Sequence, residues 1–255
     1  MILHNDFLGT DYFNCSMDFI PNEDDVEKFI DNLNEQPEDW HYRNSLITYQ
    51  FNENGHRSKS LDKLNLDNYI LYVGCSHTVG VGVKLEETFP YIASQYVWKG
   101  ADYYNLAVSG AGIDTLEYNL LTWFTKIKKK PKLVVIQWPD HSRFIVNEPG
   151  RREFVPSGTW TSNFDAQKFI YNSEVTGAVH GRKAINVKLI ETLIDVPKLT
   201  LIHEGLVPYD SNSIVFRTVD RARDLKHSGI QSHRLVAEKI IESYYKIYKN
   251  YIEYL

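Results

Sequence analysis

At 255 residues, with ordinary apolar (43%) and charged (24%) content, the chain is long enough to bury one large core. Its net charge of −5 excludes the basic stripe of a nucleic-acid binder, and the one basic run, residues 126–130, closes an apparent helix where positive charge suits the dipole. No stretch approaches the ~20 apolar residues of a membrane span, nothing at the start reads as a signal peptide, and two cysteines, Cys15 and Cys75, read as free thiols of a reducing compartment.

Residues 1–66 are the least regular part and read as an extension packed on a main domain, with a surface for a protein partner. Asn22 is positioned to cap a helix opening at Glu23, Asp24 and Asp25, with Val26, Phe29, Ile30 and Leu33 on one apolar face. Residues 40–54 hold strand-like pieces, and Asn52-Glu53-Asn54-Gly55 reads as a turn. The regular part, residues 67–255, starts with an apolar strand at 69–73. A helix follows from Thr88 and Pro90 to about Trp98. A second strand is expected at 103–108, then a helix with Ile113, Leu116, Leu120, Leu121, Phe124 and Ile127 on its apolar side. Residues 133–138 are continuously apolar apart from Gln137, which suits a strand buried on both faces. Residues 144–180 form an irregular, aromatic insertion of the length that is often functional. A helix at 182–195, a strand at 199–203, a short strand at 214–216 and a last helix opening at Ser228, with Gln231 completing a capping box, end the pattern. Strands alternating with helices predict an α/β fold: a three-layer, doubly wound parallel sheet with right-handed crossovers.

In such sheets ligands bind at the carboxyl ends of the strands. Ser76 stands there, in Gly74-Cys75-Ser76-His77-Thr78-Val79-Gly80, directly after the first strand. A serine hydroxyl is a weak nucleophile without a base, and the base needs a carboxylate to fix its tautomer. Asp224 and His227, three apart in a loop before the last helix, supply both residue types. Backbone N–H groups of Ser76 and Gly110 are candidates for an oxyanion hole, since a glycine lets substrate approach closely. Cys75 as nucleophile and His233 as base are the local alternatives. Five further residues are candidates for substrate contact: His77, Trp138, His141, Trp160 and His203. No metal-ligand spacing and no phosphate-binding or dinucleotide-binding loop is present.

These blocks resemble the SGNH hydrolase superfamily, the GDSL-type esterases, over roughly residues 47–245. Gly74-Cys75-Ser76-His77-Thr78 is similar to its first block, with Cys75 where aspartate is common. Residues 105–110, Asn-Leu-Ala-Val-Ser-Gly, resemble the second, and Asp224-Leu225-Lys226-His227 the fifth. Residues 49–57 resemble a lead-in found in some members. The resemblance implies a flavodoxin-like fold and a cofactor-free serine esterase with a Ser76-His227-Asp224 triad. It also implies an acylated small molecule or glycan as substrate, with an O-acetylated carbohydrate favoured by the aromatic content. One block departs from the pattern. The third normally carries Gly-x-Asn-Asp, whose asparagine is the third oxyanion donor. Here Gln137-Trp138-Pro139-Asp140 stands instead, leaving Gln137, His141 or Arg143 as substitutes. That departure resembles a phage-type subgroup. It motivates the alternative of a non-catalytic binding or virion protein on the same scaffold. The expected location is cytoplasmic, or the virion for a phage protein.

Overall fold

The computed structural model describes residues 1–98, 100–147, 154–157, 167–168, 171–172, 178–206, 208 and 212–252. In residues 1–66, β1 (Ile2–His4) pairs antiparallel with β2 (Phe7–Gly9), and β3 (Cys15–Met17) with β4 (Tyr49–Phe51). α1 (Val26–Glu35) begins later than the acidic run suggests. Its cap is Asp25, whose Oδ1 accepts the Lys28 N–H at 2.9 Å, while Asn22 sits outside the helix at φ 66°. Val26 and Ile30, expected to be covered, are exposed, and Phe29 packs against Phe19 and Trp40.

The expected strands become β5 (Tyr69–Val73), β6 (Asp102–Asn105), which stops at Asn105 and not at residue 108, and β7 (Leu133–Trp138). In the insertion, β8 (Phe144–Asn147) and β9 (Phe154–Ser157) pair as an antiparallel hairpin, so this part of it is regular. β10 (Lys198–His203) and β11 (Ile214–Phe216) complete a five-stranded sheet. Its order is β11-β10-β7-β5-β6 and every pairing is parallel. The chain leaves β5 for β6 on one side and returns to β7 on the other. Such a reversal opens a crevice at the carboxyl ends of β5 and β7.

The helices are α2 (Ser76–Val79), α3 (Phe89–Val97), α4 (Ile113–Lys126), α5 (Ala178–Leu193) and α6 (Ile230–Ile252). Strand alternation sorts the core into two layers. Leu71, Val73, Val134 and Ile136 face α4 and α5, where they meet Leu120, Trp123 and Ile190. Ile70, Tyr72, Leu133 and Val135 face α3 and α6, meeting Phe89, Ala237 and Ile240. The doubly wound α/β architecture is therefore present. Among the described residues no helix is long and apolar enough to cross a membrane.

A third apolar cluster joins residues 1–66 to the crevice end of the sheet. Ile20, Tyr42, Ile47, Tyr49 and Phe51 pack on Val79, Val81, Val83, Ala107 and Ala222. At its edge lies an ion pair between Asp24 and Arg223, 2.7 Å apart, with side chains 1% and 2% exposed. The guanidinium lies over Phe19 and Phe29, 4.2 and 5.3 Å from the ring centres. The Tyr49 hydroxyl donates to Asp24 and accepts the Gly82 N–H at 2.8 Å.

Asp24→Asn keeps the volume but leaves the buried Arg223 cation without its carboxylate. Removing one partner of such a pair costs about 3–5 kcal/mol. Urea denaturation should show a loss of that order, and a change under about 1 kcal/mol, the scale of an exposed pair, would contradict the assigned role.

Candidate functional site

Ser76 opens α2, with Cys75 in extended conformation just before it. The strand-to-helix turn closes tightly at Gly74, where an added Cβ would lie 2.1 Å from Thr78 Oγ1. Only glycine fits so close an approach. Three buried side chains brace the turn from different directions. Gln137 Oε1, from β7, accepts the Cys75 N–H and thiol, both at 3.1 Å, and the Thr78 hydroxyl at 3.2 Å. Asn105 Nδ2, from β6, donates to the Thr78 carbonyl at 2.8 Å. Arg57 donates to the carbonyls of Gly80 (2.5 Å) and Val83 (3.0 Å). Ser76 itself is 6% exposed, and its hydroxyl is neither sealed from solvent nor partnered among the described residues.

Asp224 and His227 meet as their spacing suggests. His227 Nδ1 lies 2.5 Å from Asp224 Oδ2. Asp224 Oδ1 also accepts the N–H groups of Lys226 and His227. Burial pushes the Asp224 carboxyl up, but the hydrogen bond and charge of His227, with the backbone donors, outweigh it and hold the group below the usual carboxylate range. The loop docks on the segment after α2. The Arg223 N–H donates to the Gly82 carbonyl at 3.1 Å, and a Cβ on Gly82 would strike Ala222 at 2.6 Å. The His227 ring lies edge-on to that of His77, 5.5 Å between centres. Among the described residues His227 and the Ser76 hydroxyl form no hydrogen bond, and in unliganded sites such contacts are often long and tighten only with substrate.

Gly110 has φ 75°, in a turn ending the β6 connection. Among the described residues neither the Ser76 N–H nor the Gly110 N–H has an acceptor. Two sequence expectations are corrected. Gln137 is 2% exposed and its carboxamide is spent on the serine turn and, through Nε2, on the Trp138 carbonyl at 2.8 Å, so it is not aimed at an oxyanion. Trp138 is fully buried in the sheet core and lines no open surface. Arg143 belongs to the loop after β7. Its positive charge is felt at His77, Glu23 and Asp140. Lys183 holds this loop by donating to the carbonyls of His141 and Arg143, and Asp114 Oδ2 accepts the Ile145 N–H at 2.7 Å. Burial pushes the Lys183 ammonium down to about 8. His141 is half-buried, 3.8 Å from Asp140. His203 ends β10 with its ring 5.9 Å from that of His77. Trp160 lies outside the described residues.

His233, the alternative base, is a core residue. Its Nδ1 accepts the Phe89 N–H at 3.1 Å, its ring stacks on Phe89, and it is 1% exposed. Burial, helped by the Arg57 charge, pushes it down to about 3. Conversely, Glu23 was not legible as a site residue. Its Oε2 accepts the Ser109 hydroxyl at 2.8 Å, beside Gly110. Desolvation pushes its carboxyl up against the opposing pull of His227 and Ser109. It borders a cavity of about 250 Å³ that Thr10, Asp11, Tyr12, Asn22 and Ser109 also line.

No protein-family model matches the chain, and no curated protein matches it either. Among solved structures it is similar to a psychrotrophic esterase from a Pseudoalteromonas species (14% identity, TM-score 0.41, covering 73% of this chain and all of that one). It is also similar to a carbohydrate acetylesterase family member from Sinorhizobium meliloti (10%, 0.42, 70% and 98%) and a G-D-S-L lipolytic protein from Veillonella parvula (14%, 0.38, 68% and 96%). Likeness at this level carries no conclusion about the chemistry of this chain.

The His233 environment sets a pH dependence. The unfolded chain takes up a proton below the ordinary histidine value of about 6.5, whereas the folded protein resists it until about 3. Stability present above pH 6.5 is therefore lost as the pH falls toward 3, by up to about 1.4 kcal/mol per pH unit. His233→Asn, which keeps an acceptor for the Phe89 N–H, should flatten that part of the stability profile. Parallel profiles for the two proteins would contradict the assignment.

Proposed function

We propose that the protein is a serine ester hydrolase acting on a small acyl ester. The observation that carries this reading is the short His227–Asp224 hydrogen bond, docked on the segment that follows Ser76. Asp224 holds the hydrogen of His227 on Nδ1 and leaves Nε2 as the basic nitrogen. Ser76 attacks the ester carbonyl as His227 takes its proton, and the histidine returns that proton to the leaving alcohol. The N–H groups of Ser76 and Gly110, which have no acceptor among the described residues, stabilise the oxyanion, and Arg143 is the third donor. Water, activated by the same histidine, then releases the acid from Ser76. No step calls for a cofactor.

The alcohol is hydroxyl-rich on this reading, an O-acetylated glycan or a small molecule of that kind. The cavity of about 250 Å³ beside Ser109 supports it: Thr10, Asp11, Asn22, Glu23 and Ser109 supply polar groups among apolar Met1, Ile20, Pro21, Phe51 and Val108.

Hydrolysis of an activated acetyl ester by wild type and by Ser76→Ala tests the reading. The variant should lose about 10³-fold or more in kcat/KM. Equal rates would favour the alternative, a binding protein on the same scaffold.

A further inference from the structure

The capping of α6 differs from the sequence expectation, and the difference releases a hydroxyl. Asp220 caps the helix, accepting the N–H groups of Gln231 at 2.9 Å and Ser232 at 2.7 Å. Ser228 is thereby free to join a chain of four side chains. His77 Nδ1 is 3.0 Å from Ser228 Oγ, which is 2.9 Å from Thr218 Oγ1, which is 3.2 Å from His203 Nε2. At the far end His203 Nδ1 lies 2.7 Å from the Glu204 carbonyl.

The hydrogens on this chain follow from its ends. A carbonyl only accepts, so His203 Nδ1 carries a hydrogen. In neutral His203 the other nitrogen, Nε2, is then bare and accepts from Thr218. Each hydroxyl has one hydrogen to give. Thr218 spends its own on His203, Ser228 spends its own on Thr218, and His77 Nδ1–H donates to Ser228. His77 is thus held with a lone pair on Nε2. That nitrogen is not among the sealed atoms and has no protein partner among the described residues. It belongs to the residue next to Ser76, on the ring that touches His227.

We propose that this chain is a proton relay through which His203, at the edge of the sheet, sets whether His77 accepts or donates a hydrogen bond in the site. When a proton reaches His77 Nε2, the Nδ1 hydrogen passes to Ser228, the Ser228 hydrogen to Thr218, and the Thr218 hydrogen to His203 Nε2. Only N–H and O–H bonds break and form, and the charge comes to rest on His203. His77 ends neutral with its hydrogen on Nε2, now a donor. The surroundings favour this division. Burial and the charges of His227, His233, His203 and Arg143 hold His77 well below the usual histidine range. Phe216 packs against both His77 and His203, and the ionisable Glu204 follows His203. At higher pH the site offers a substrate hydroxyl an acceptor, and at lower pH it offers a carbonyl a donor. That consequence for turnover rests on the hydrolase reading, whereas the relay rests on hydrogen-bond geometry alone.

Side-chain nitrogen NMR of the ¹⁵N-labelled protein, without substrate, tests the relay and leaves the hydrolase reading aside. At pH 8.5 His77 should carry its hydrogen on Nδ1, and on acidification that hydrogen should appear on Nε2 as His203 Nε2 gains one. Thr218→Val breaks the chain at matched size, and in that variant the His77 tautomer should no longer follow His203. A wild-type His77 with its hydrogen on Nε2 at pH 8.5 would overturn the relay whatever the variant does. So would an unchanged titration in Thr218→Val.

Discussion

A buried cation must keep its counter-ion, and that requirement ties the two ends of this chain together at the site. Arg223 is sequestered beneath Phe19 and Phe29, so Asp24 has to lie beside it. The pair joins residues 199 apart in sequence, one preceding α1 and the other immediately before Asp224. The Arg223 backbone is held on both sides, its N–H by Gly82 and its carbonyl by Asn32 Nδ2 at 2.9 Å. The loop that presents Asp224 and His227 is thereby fixed between residues 1–66 and the segment following α2. Glu23, the neighbour of Asp24, reaches the Ser109–Gly110 turn from the same place.

The serine turn follows the same logic with neutral partners. Arg57 is buried at 2% exposure, lies over the Tyr49 ring at 4.5 Å, and offsets its charge against backbone carbonyls of the turn. Gln137 and Asn105 complete the support from adjacent strands. Each buried polar group costs free energy unless bonded, so the bonds these three make to the turn hold it in one geometry. The glutamine at the third-strand position thus works as a brace, and the donor role expected of it passes to Arg143 in the proposed mechanism.

The sheet was legible in the sequence because strands buried on both faces read as continuous apolar runs. β5 and β7, buried along their whole length, begin and end at the expected residues. Asp224 and His227 were legible as a pair because three residues of separation is a local pattern. Glu23, Asp24 and Arg223 were not, since their partners lie 86 and 199 residues away and leave no periodic mark. Trp138 was misread because aromatic content does not say which face a strand residue occupies. The cap of α6 was misread for a related reason: Asp220 makes two charge-assisted bonds to the helix end, and the nearer Ser228 is left to bond His77 and Thr218.

The central claim is that Ser76 is a nucleophile activated by His227. Reaction with an alkyl fluorophosphonate, followed by peptide mass spectrometry, tests it most directly, because the reagent marks an activated serine without requiring the natural ester. The account predicts one adduct per chain, on Ser76, lost in a folded His227→Ala variant. An adduct on Cys75, or none on Ser76 in the wild-type protein, would contradict it.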